Sequence, residues 1–185
     1  MTIQIAFSRT TGQLLSAQVI GNDGVDKRVD LLASVIKNQG TVYDLTEIEH
    51  AYAPPFSSAK DPVNMAGFVA ENIMLGRLSI VQCSDVALKD GEYTLLDVRT
   101  AEEYQQGTIA SAVNIPWDEI RLRIHEIPTD RPLYVFCQQG MRGYLAQRIL
   151  VQNNFSSVTN ISGGYLLCKT CFEERVKIER QLQRV

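Results

Sequence analysis

The chain has 185 residues, 45% of them hydrophobic and 21% charged, with a formal net charge of −3. That length admits one or two domains with real apolar cores, and the acidic balance argues against a nucleic-acid or anionic-membrane partner. No apolar run approaches the roughly 18 residues a membrane helix needs, and the first dozen residues lack a basic stretch leading into a long apolar core, so neither a membrane span nor a secretory leader is expected.

From the N-terminus, Ile3 to Phe7 alternates like a strand, Thr11-Gly12 reads as a turn, and Gln13 to Ile20 reads as a second strand, giving a hairpin. Val25 to Lys37 carries apolar residues at Val25, Val29, Leu32, Ala33 and Ile36, a helical stripe with Asn22-Asp23-Gly24 as its start and Asn38-Gln39-Gly40 as its stop. Thr41 to His50 leads to the rigid turn Tyr52-Ala53-Pro54-Pro55-Phe56. Asp61-Pro62 then opens a helix to about Leu75, with proline at its first position.

The pattern changes between Met74 and Val81. Thr94 to Arg99 is an apolar strand ending in charge, and Thr100-Ala101-Glu102-Glu103 is a capped helix start that Gly107 ends. Ala112 to Pro116 is a short strand, Ile120 to Ile127 a short helix, and Leu133 to Phe136 a buried strand. Gly143 to Gln152 is a helix and Ser157 to Ile161 a further strand, closed by Ser162-Gly163-Gly164. Strands alternating with helices predict a parallel, helix-covered sheet with its site at the carboxyl ends of the strands. Lys169 to Val185 reads as a charged, solvated end helix.

Cys137 falls at one such end, in the loop Cys137-Gln138-Gln139-Gly140-Met141-Arg142 between a strand and a helix. A strand fixes the cysteine, the loop turns backbone N–H groups inward, and the helix N-terminus adds partial positive charge, a layout that suits a reactive thiolate. The gap from Cys137 to Arg142 is one residue shorter than in phosphate-binding loops of the tyrosine-phosphatase type. The smaller cradle argues against a phosphatase and suits a single sulfur carried on the cysteine as a persulfide anion. Gly140 permits the tight turn, and Arg142 supplies a cation for the persulfide or an anionic donor.

The segments LLDVRTAEEYQQGTIASAVNIP (Leu95 to Pro116), VFCQQGMR (Val135 to Arg142) and ISGGY (Ile161 to Tyr165) resemble the rhodanese family of sulfurtransferases in order and spacing. The resemblance implies a rhodanese-like α/β domain over residues 82–185. It makes Cys137 the nucleophile that becomes a persulfide, Gln138, Gln139, Gly140, Met141 and Arg142 the persulfide cradle, and Asp97 and Arg99 structural ion-pair or loop-orienting groups. It also implies a small anionic sulfur donor and a thiol acceptor.

Upstream, TGQLLSAQVIG (Thr11 to Gly21), GVDKRVDLLASVIK (Gly24 to Lys37) and TVYDLTEIEHAYAPPFSSAKDPVNMAG (Thr41 to Gly67) resemble the end of the dimerisation domain of FAD-dependent pyridine nucleotide-disulfide reductases, in the branch holding NADH oxidases and coenzyme A-disulfide reductases. That resemblance implies a partial α+β dimerisation domain over 1–76, a homodimer, and a parent enzyme using FAD, NAD(P)H and coenzyme A. It places Tyr52 where the family's tyrosine reaches the partner's site; packing beside Pro54-Pro55-Phe56 is the plainer account. No G-x-G-x-x-G follows a strand, so this chain is expected to bind no FAD or NAD(P)H itself. The alternative to a sulfurtransferase arm is a non-catalytic dimerisation or regulatory tail of such a reductase or oxidase.

The remaining cysteines are Cys83, Cys168 and Cys171. They make no disulfide framework, and free thiols in a reducing cytoplasm are the simpler reading. Neither His50 nor His125 sits at ligand spacing beside the close pair, so no metal site is expected. Cys168-Lys169-Thr170-Cys171 has redox-motif spacing without a thioredoxin-like setting, and reads either as plain helix thiols or as a resolving or sulfur-accepting pair. Cys83 reads as a core or linker thiol, Trp117 as a packing anchor and His125 as a surface residue. Arg121, Arg123 and Arg131 read as a solvated face, with a basic rim for an anionic donor as the alternative.

Overall fold

The computed structural model describes residues 1–51, 53–55, 57–87 and 93–171. It divides into two compact units, Met1–Arg77 and Leu78–Val185. Tyr52 and the end-helix reading for residues 172–185 lie outside the described residues.

In the first unit, β1 (Thr2–Phe7) and β2 (Leu14–Ile20) pair antiparallel, with a register shift between Ala6 and Phe7. Helices α1 (Val25–Lys37), α2 (Val42–Glu47) and α3 (Pro62–Met74) complete it. Leu14, Leu32, Leu45 and Val63 form its buried centre. The sequence stripe on α1 is only partly right: Leu32 is buried with Leu31, Val35 and Ile36 packed nearby, whereas Val29 and Ala33 face outward. A two-stranded hairpin is narrow and covers only part of an apolar helix face. Within Thr41 to His50 the structure adds α2, too short for a helical period to register; Asp44 accepts from the Thr41 backbone N–H and hydroxyl at its start. Asp61 caps α3 by accepting from the Val63 N–H, and also pairs with Arg28. The Arg28 and Val63 hydrogen bonds, opposed by burial, leave its carboxyl below the usual carboxylate range.

In the second unit, five parallel strands run in the order β3 (Ile80–Val81), β7 (Val158–Ile161), β6 (Leu133–Phe136), β4 (Thr94–Asp97) and β5 (Val113–Asn114). The helices are α4 (Cys83–Ala87), α5 (Ala101–Gln105), α6 (Ile120–Arg123, followed by a 3₁₀ turn to Glu126), α7 (Met141–Gln152) and α8 (residues 164–171). Residues 78–81 belong to this unit and include β3, which two residues of pairing hide from a sequence pattern.

β6 is buried along its whole length at the centre of the sheet. Its side chains alternate between two cores. Leu133, Val135 and Cys137 join Leu96 and Ile149 on one face, while Tyr134 and Phe136 join Leu95 and Ile161 on the other. Trp117 packs against the first core. The register sets Asp97 beside Phe136 and Asn160 beside Val135, so both neighbouring strands bring polar groups to the level where β6 ends in Cys137.

Candidate active site at the end of the central strand

Cys137 leaves β6 with only 2% of its surface exposed. Its Sγ accepts a hydrogen bond from the Gly140 N–H at 3.1 Å, so the loop folds back over the sulfur. Gly140 has φ +145°, a conformation side chains resist, although a Cβ there would meet nothing within 4 Å. The glycine is therefore needed for its backbone and not for space. Helix α7 starts at Met141, two residues earlier than the sequence pattern suggests, so Met141 and Arg142 form its first turn. Its N-terminal end abuts the loop, where the helix dipole favours negative charge.

The loop is held from three sides. Behind it, α8 donates the Tyr165 N–H to the Cys137 carbonyl at 2.8 Å and the Leu166 N–H to the Gln138 carbonyl at 3.2 Å. A Cβ on Gly164 would stand 2.5 Å from that Cys137 carbonyl, and Gly164 has φ +60°, so only glycine allows this approach. From β7, the Asn160 amide donates to the Gly140 carbonyl at 3.2 Å.

On the β4 side, Asp97 and Arg99 form an ion pair whose side chains are 0% and 2% exposed. Arg99 grips both Asp97 oxygens, at 2.7 Å through Nη2 and 3.0 Å through Nε. It also donates to the Gly107 carbonyl at 2.7 Å and to Gln138 Oε1 at 3.2 Å, and lies 4.0 Å from the centre of the Tyr165 ring. Thr108 donates its hydroxyl to Asp97 at 2.7 Å. The pair thus ties β4 to the cysteine loop and to α8 together.

Arg142 interacts with Cys137, but its guanidinium is held chiefly by Glu103. It donates to both Glu103 oxygens, at 2.6 and 2.8 Å. Glu103 therefore does two jobs, because it also accepts from the Thr100 N–H at the start of α5. The expectation of Arg142 as a cation offered to an anionic donor thus meets a carboxylate already in place. Glu103 was visible in the sequence only as half of the capping box. The Arg142 hydrogen bonds, against some burial, hold its carboxyl down to about 2. A group with a depressed folded-state pKa stabilises above its unfolded value and loses that contribution as pH falls toward the folded one. Glu103→Gln should therefore lower stability on the order of 1 kcal/mol near neutrality, the partial exposure of the pair screening it. The difference from the parent should stay constant down to about pH 4.5 and shrink below that. Urea midpoints across that range check this; a gap that widens on acidification would contradict it.

Gln139 and Met141 are exposed at the rim of the loop, and Gln138 is half-buried. Two charges of the suggested basic rim are engaged, Arg123 with Glu119 and Glu126 and Arg131 with Asp130, while Arg121 is exposed. His125 is exposed. No described helix is long and apolar enough to cross a membrane.

A central strand ending in a buried, N–H-bonded cysteine, with a helix starting within the loop, is the arrangement that family comparison resolves. Residues 85–169 match the model described as the rhodanese-like domain. The second unit is a rhodanese-like domain. Two solved structures extend the likeness beyond it. The chain is similar to the reduced Bacillus anthracis CoADR-RHD, with 46% identity and a TM-score of 0.87, over 94% of this chain and 31% of that one. It is also similar to an NAD-dependent persulfide reductase from A. fulgidus, with 32% identity and a TM-score of 0.78, over 88% of this chain and 29% of that one. Among curated proteins it is 45% identical over 69 residues to a coenzyme A disulfide reductase of Staphylococcus aureus, covering 37% of this chain and 16% of the relative. The chain thus spans less than a third of the length of each of these relatives. Coverage of 94% requires that the first unit shares in the likeness as well as the rhodanese-like domain.

Proposed function

We propose that the rhodanese-like domain is a sulfur carrier whose working group is Cys137, acting as the sulfurtransfer arm of a larger flavin-dependent oxidoreductase of disulfides, persulfides or polysulfides. The observation that carries this reading is the Gly140 N–H on the Cys137 sulfur at 3.1 Å, in a loop that opens directly into α7. A backbone donor and a helix start stabilise negative charge on sulfur. With four residues between Cys137 and Arg142, one fewer than in phosphate-binding loops of the tyrosine-phosphatase type, the loop suits one added sulfur better than a tetrahedral anion.

The Cys137 thiolate attacks the outer sulfur of an anionic donor such as thiosulfate. A Cys137 S–S bond forms, the donor's S–S bond breaks, and sulfite leaves with the electron pair. The product, Cys137–S–S⁻, keeps its terminal charge beside the Gly140 N–H and the first turn of α7. An acceptor thiolate then attacks that terminal sulfur, forms a new persulfide, and releases the Cys137 thiolate. Gln138 to Arg142 shape this cradle. Asp97 and Arg99 keep it in place through Gln138, and the Glu103–Arg142 pair closes one wall without carrying a net charge.

FAD, NAD(P)H and coenzyme A would serve the parent enzyme and not this segment. The first unit is an antiparallel hairpin with three helices, and no glycine-rich strand-to-helix turn of the dinucleotide type occurs in the sequence. A purely regulatory tail would have no use for a thiol enclosed in this way, and the retained sulfur favours the catalytic reading. The test is mass spectrometry of the chain after exposure to thiosulfate or polysulfide. One added sulfur, removed by a thiol or cyanide and mapped to Cys137, is expected; no addition there would end the proposal.

A further inference from the structure

Asn160 stands on β7 between β6 and β3, beside Val135 on one side and Ile80 on the other, and is 4% exposed. Its backbone N–H donates to the Ser79 carbonyl at 2.9 Å, so its main chain is fixed. Its Nδ2 donates to the Gly140 carbonyl at 3.2 Å, and that carbonyl also accepts the Tyr144 N–H at 2.9 Å. Turned over, the amide would set oxygen against oxygen, so its orientation is decided. The other end of the amide is left over. Asn160 Oδ1 is buried without a partner, and a Cβ on Gly143 would collide with it. Gly143 lies in the first turn of α7 and has no positive φ, so it is a glycine for space and not for backbone. A glycine inside a helix and an unpaired buried oxygen each lower stability. Two such costs meeting at one contact point to a task other than packing.

The task is visible at Gly140. Its N–H meets the Cys137 sulfur at 3.1 Å, with φ 145° and ψ −28°. A glycine turns easily about both bonds, so this geometry needs holding on both sides of the Cα. The sulfur holds the N–H, and Asn160 with Tyr144 holds the carbonyl. We propose that Asn160 is a positioning residue for the chemistry of Cys137: its amide keeps the Gly140 N–H aimed at the sulfur, and Gly143 is a glycine to admit it. This rests on the reading of Cys137 as a sulfur carrier. Asn160 touches no reacting atom. It acts through Gly140, whose N–H stabilises the negative charge on the Cys137 thiolate before sulfur is added and on the persulfide afterwards.

The full chain and its variants are exposed to thiosulfate, sulfur addition at Cys137 is timed by mass spectrometry, and stability is read from Trp117 emission in urea. Asn160→Ala should load sulfur about tenfold more slowly than the parent and have a lower urea midpoint. Adding Gly143→Ala puts a better helix former into the vacated space and should restore the midpoint, while loading stays about tenfold slow. Gln147→Ala removes another buried amide, one that holds the Val158 and Ser79 carbonyls instead of the loop. It should lower the midpoint and leave loading within about twofold of the parent. Loading within about twofold of the parent in Asn160→Ala, loading that recovers with the midpoint in the double variant, or equal slowing by Gln147→Ala would each overturn the proposal. If Asn160→Ala alone does not fold, the loading rate of the double variant decides. A parent chain that takes no sulfur at Cys137 would instead end the carrier reading. The same order of rates is then sought in alkylation of Cys137 by iodoacetamide, which also needs the thiolate, and its absence there overturns the positioning role.

Discussion

Cys137→Ser should reduce sulfur transfer to the uncatalysed background, a loss of at least about 10³-fold, because a hydroxyl oxygen forms no persulfide and nothing else near the loop replaces the nucleophile. Serine is close in size to cysteine, and its oxygen can still accept the Gly140 N–H that now meets sulfur. The fold should therefore survive, apart from a modest cost for placing a hydroxyl among Val135, Ala146 and the rest of that core. Trp117, the sole tryptophan and packed on the same core, reports this directly through its emission in urea. A near-normal urea midpoint with no turnover and no added sulfur is the expected pair of results. Undiminished turnover would move the chemistry away from Cys137, and Cys83, Cys168 and Cys171 would be the next thiols to map.

Arg99→Ala should be the most destabilising single change at the site, costing about 3 kcal/mol by the precedent for breaking buried ion pairs. Asp97 is wholly buried, and without the guanidinium it keeps only the Thr108 hydroxyl and the Arg99 backbone N–H. A fully buried carboxylate with two neutral donors is poorly compensated. The same change removes the donor to the Gly107 carbonyl, the prop under Gln138 and the stacking on Tyr165. Sulfur transfer should fall with stability, since the loop loses its β4 support. Arg99→Lys should recover less than half of the loss, because an ammonium cannot grip both Asp97 oxygens while reaching Gly107 and Gln138. Urea denaturation followed by Trp117 emission measures both variants. A cost under about 1 kcal/mol for Arg99→Ala would show that water replaces the guanidinium and that the pair is not the buried brace described here.

Much of this site was legible along the chain. The buried run Leu133 to Phe136, the glycine at 140 and the helix beyond it identify a strand–loop–helix cysteine, and the second unit has the parallel sheet that alternating elements imply. Asp61-Pro62 and Thr100 to Glu103 mark their helix starts through local hydrogen bonds between near neighbours, which sequence spacing records directly. Shorter elements escaped. β3 and α4 are two and five residues long, below the length at which a period of two or 3.6 can declare itself. The helical stripe on α1 named the right element but placed Val29 and Ala33 inward, since the extent of the covering surface belongs to its neighbours.

By itself the sequence determined which residues could do chemistry and which local turns present them: Cys137 at a strand end, Gly140 in the bend, and four residues between Cys137 and Arg142. Partnerships across the chain were decided only by the tertiary structure. Arg142 is 39 positions from Glu103, Arg99 is 39 from Gln138, and Asn160 is 20 from Gly140. Cys83 shares a buried core with Cys168 only because α4 and α8 fall on one side of the sheet. Such pairs are set by strand order and register, β3-β7-β6-β4-β5 with Asp97 beside Phe136 and Asn160 beside Val135. No local spacing encodes that order; it follows from how the two apolar cores close around β6.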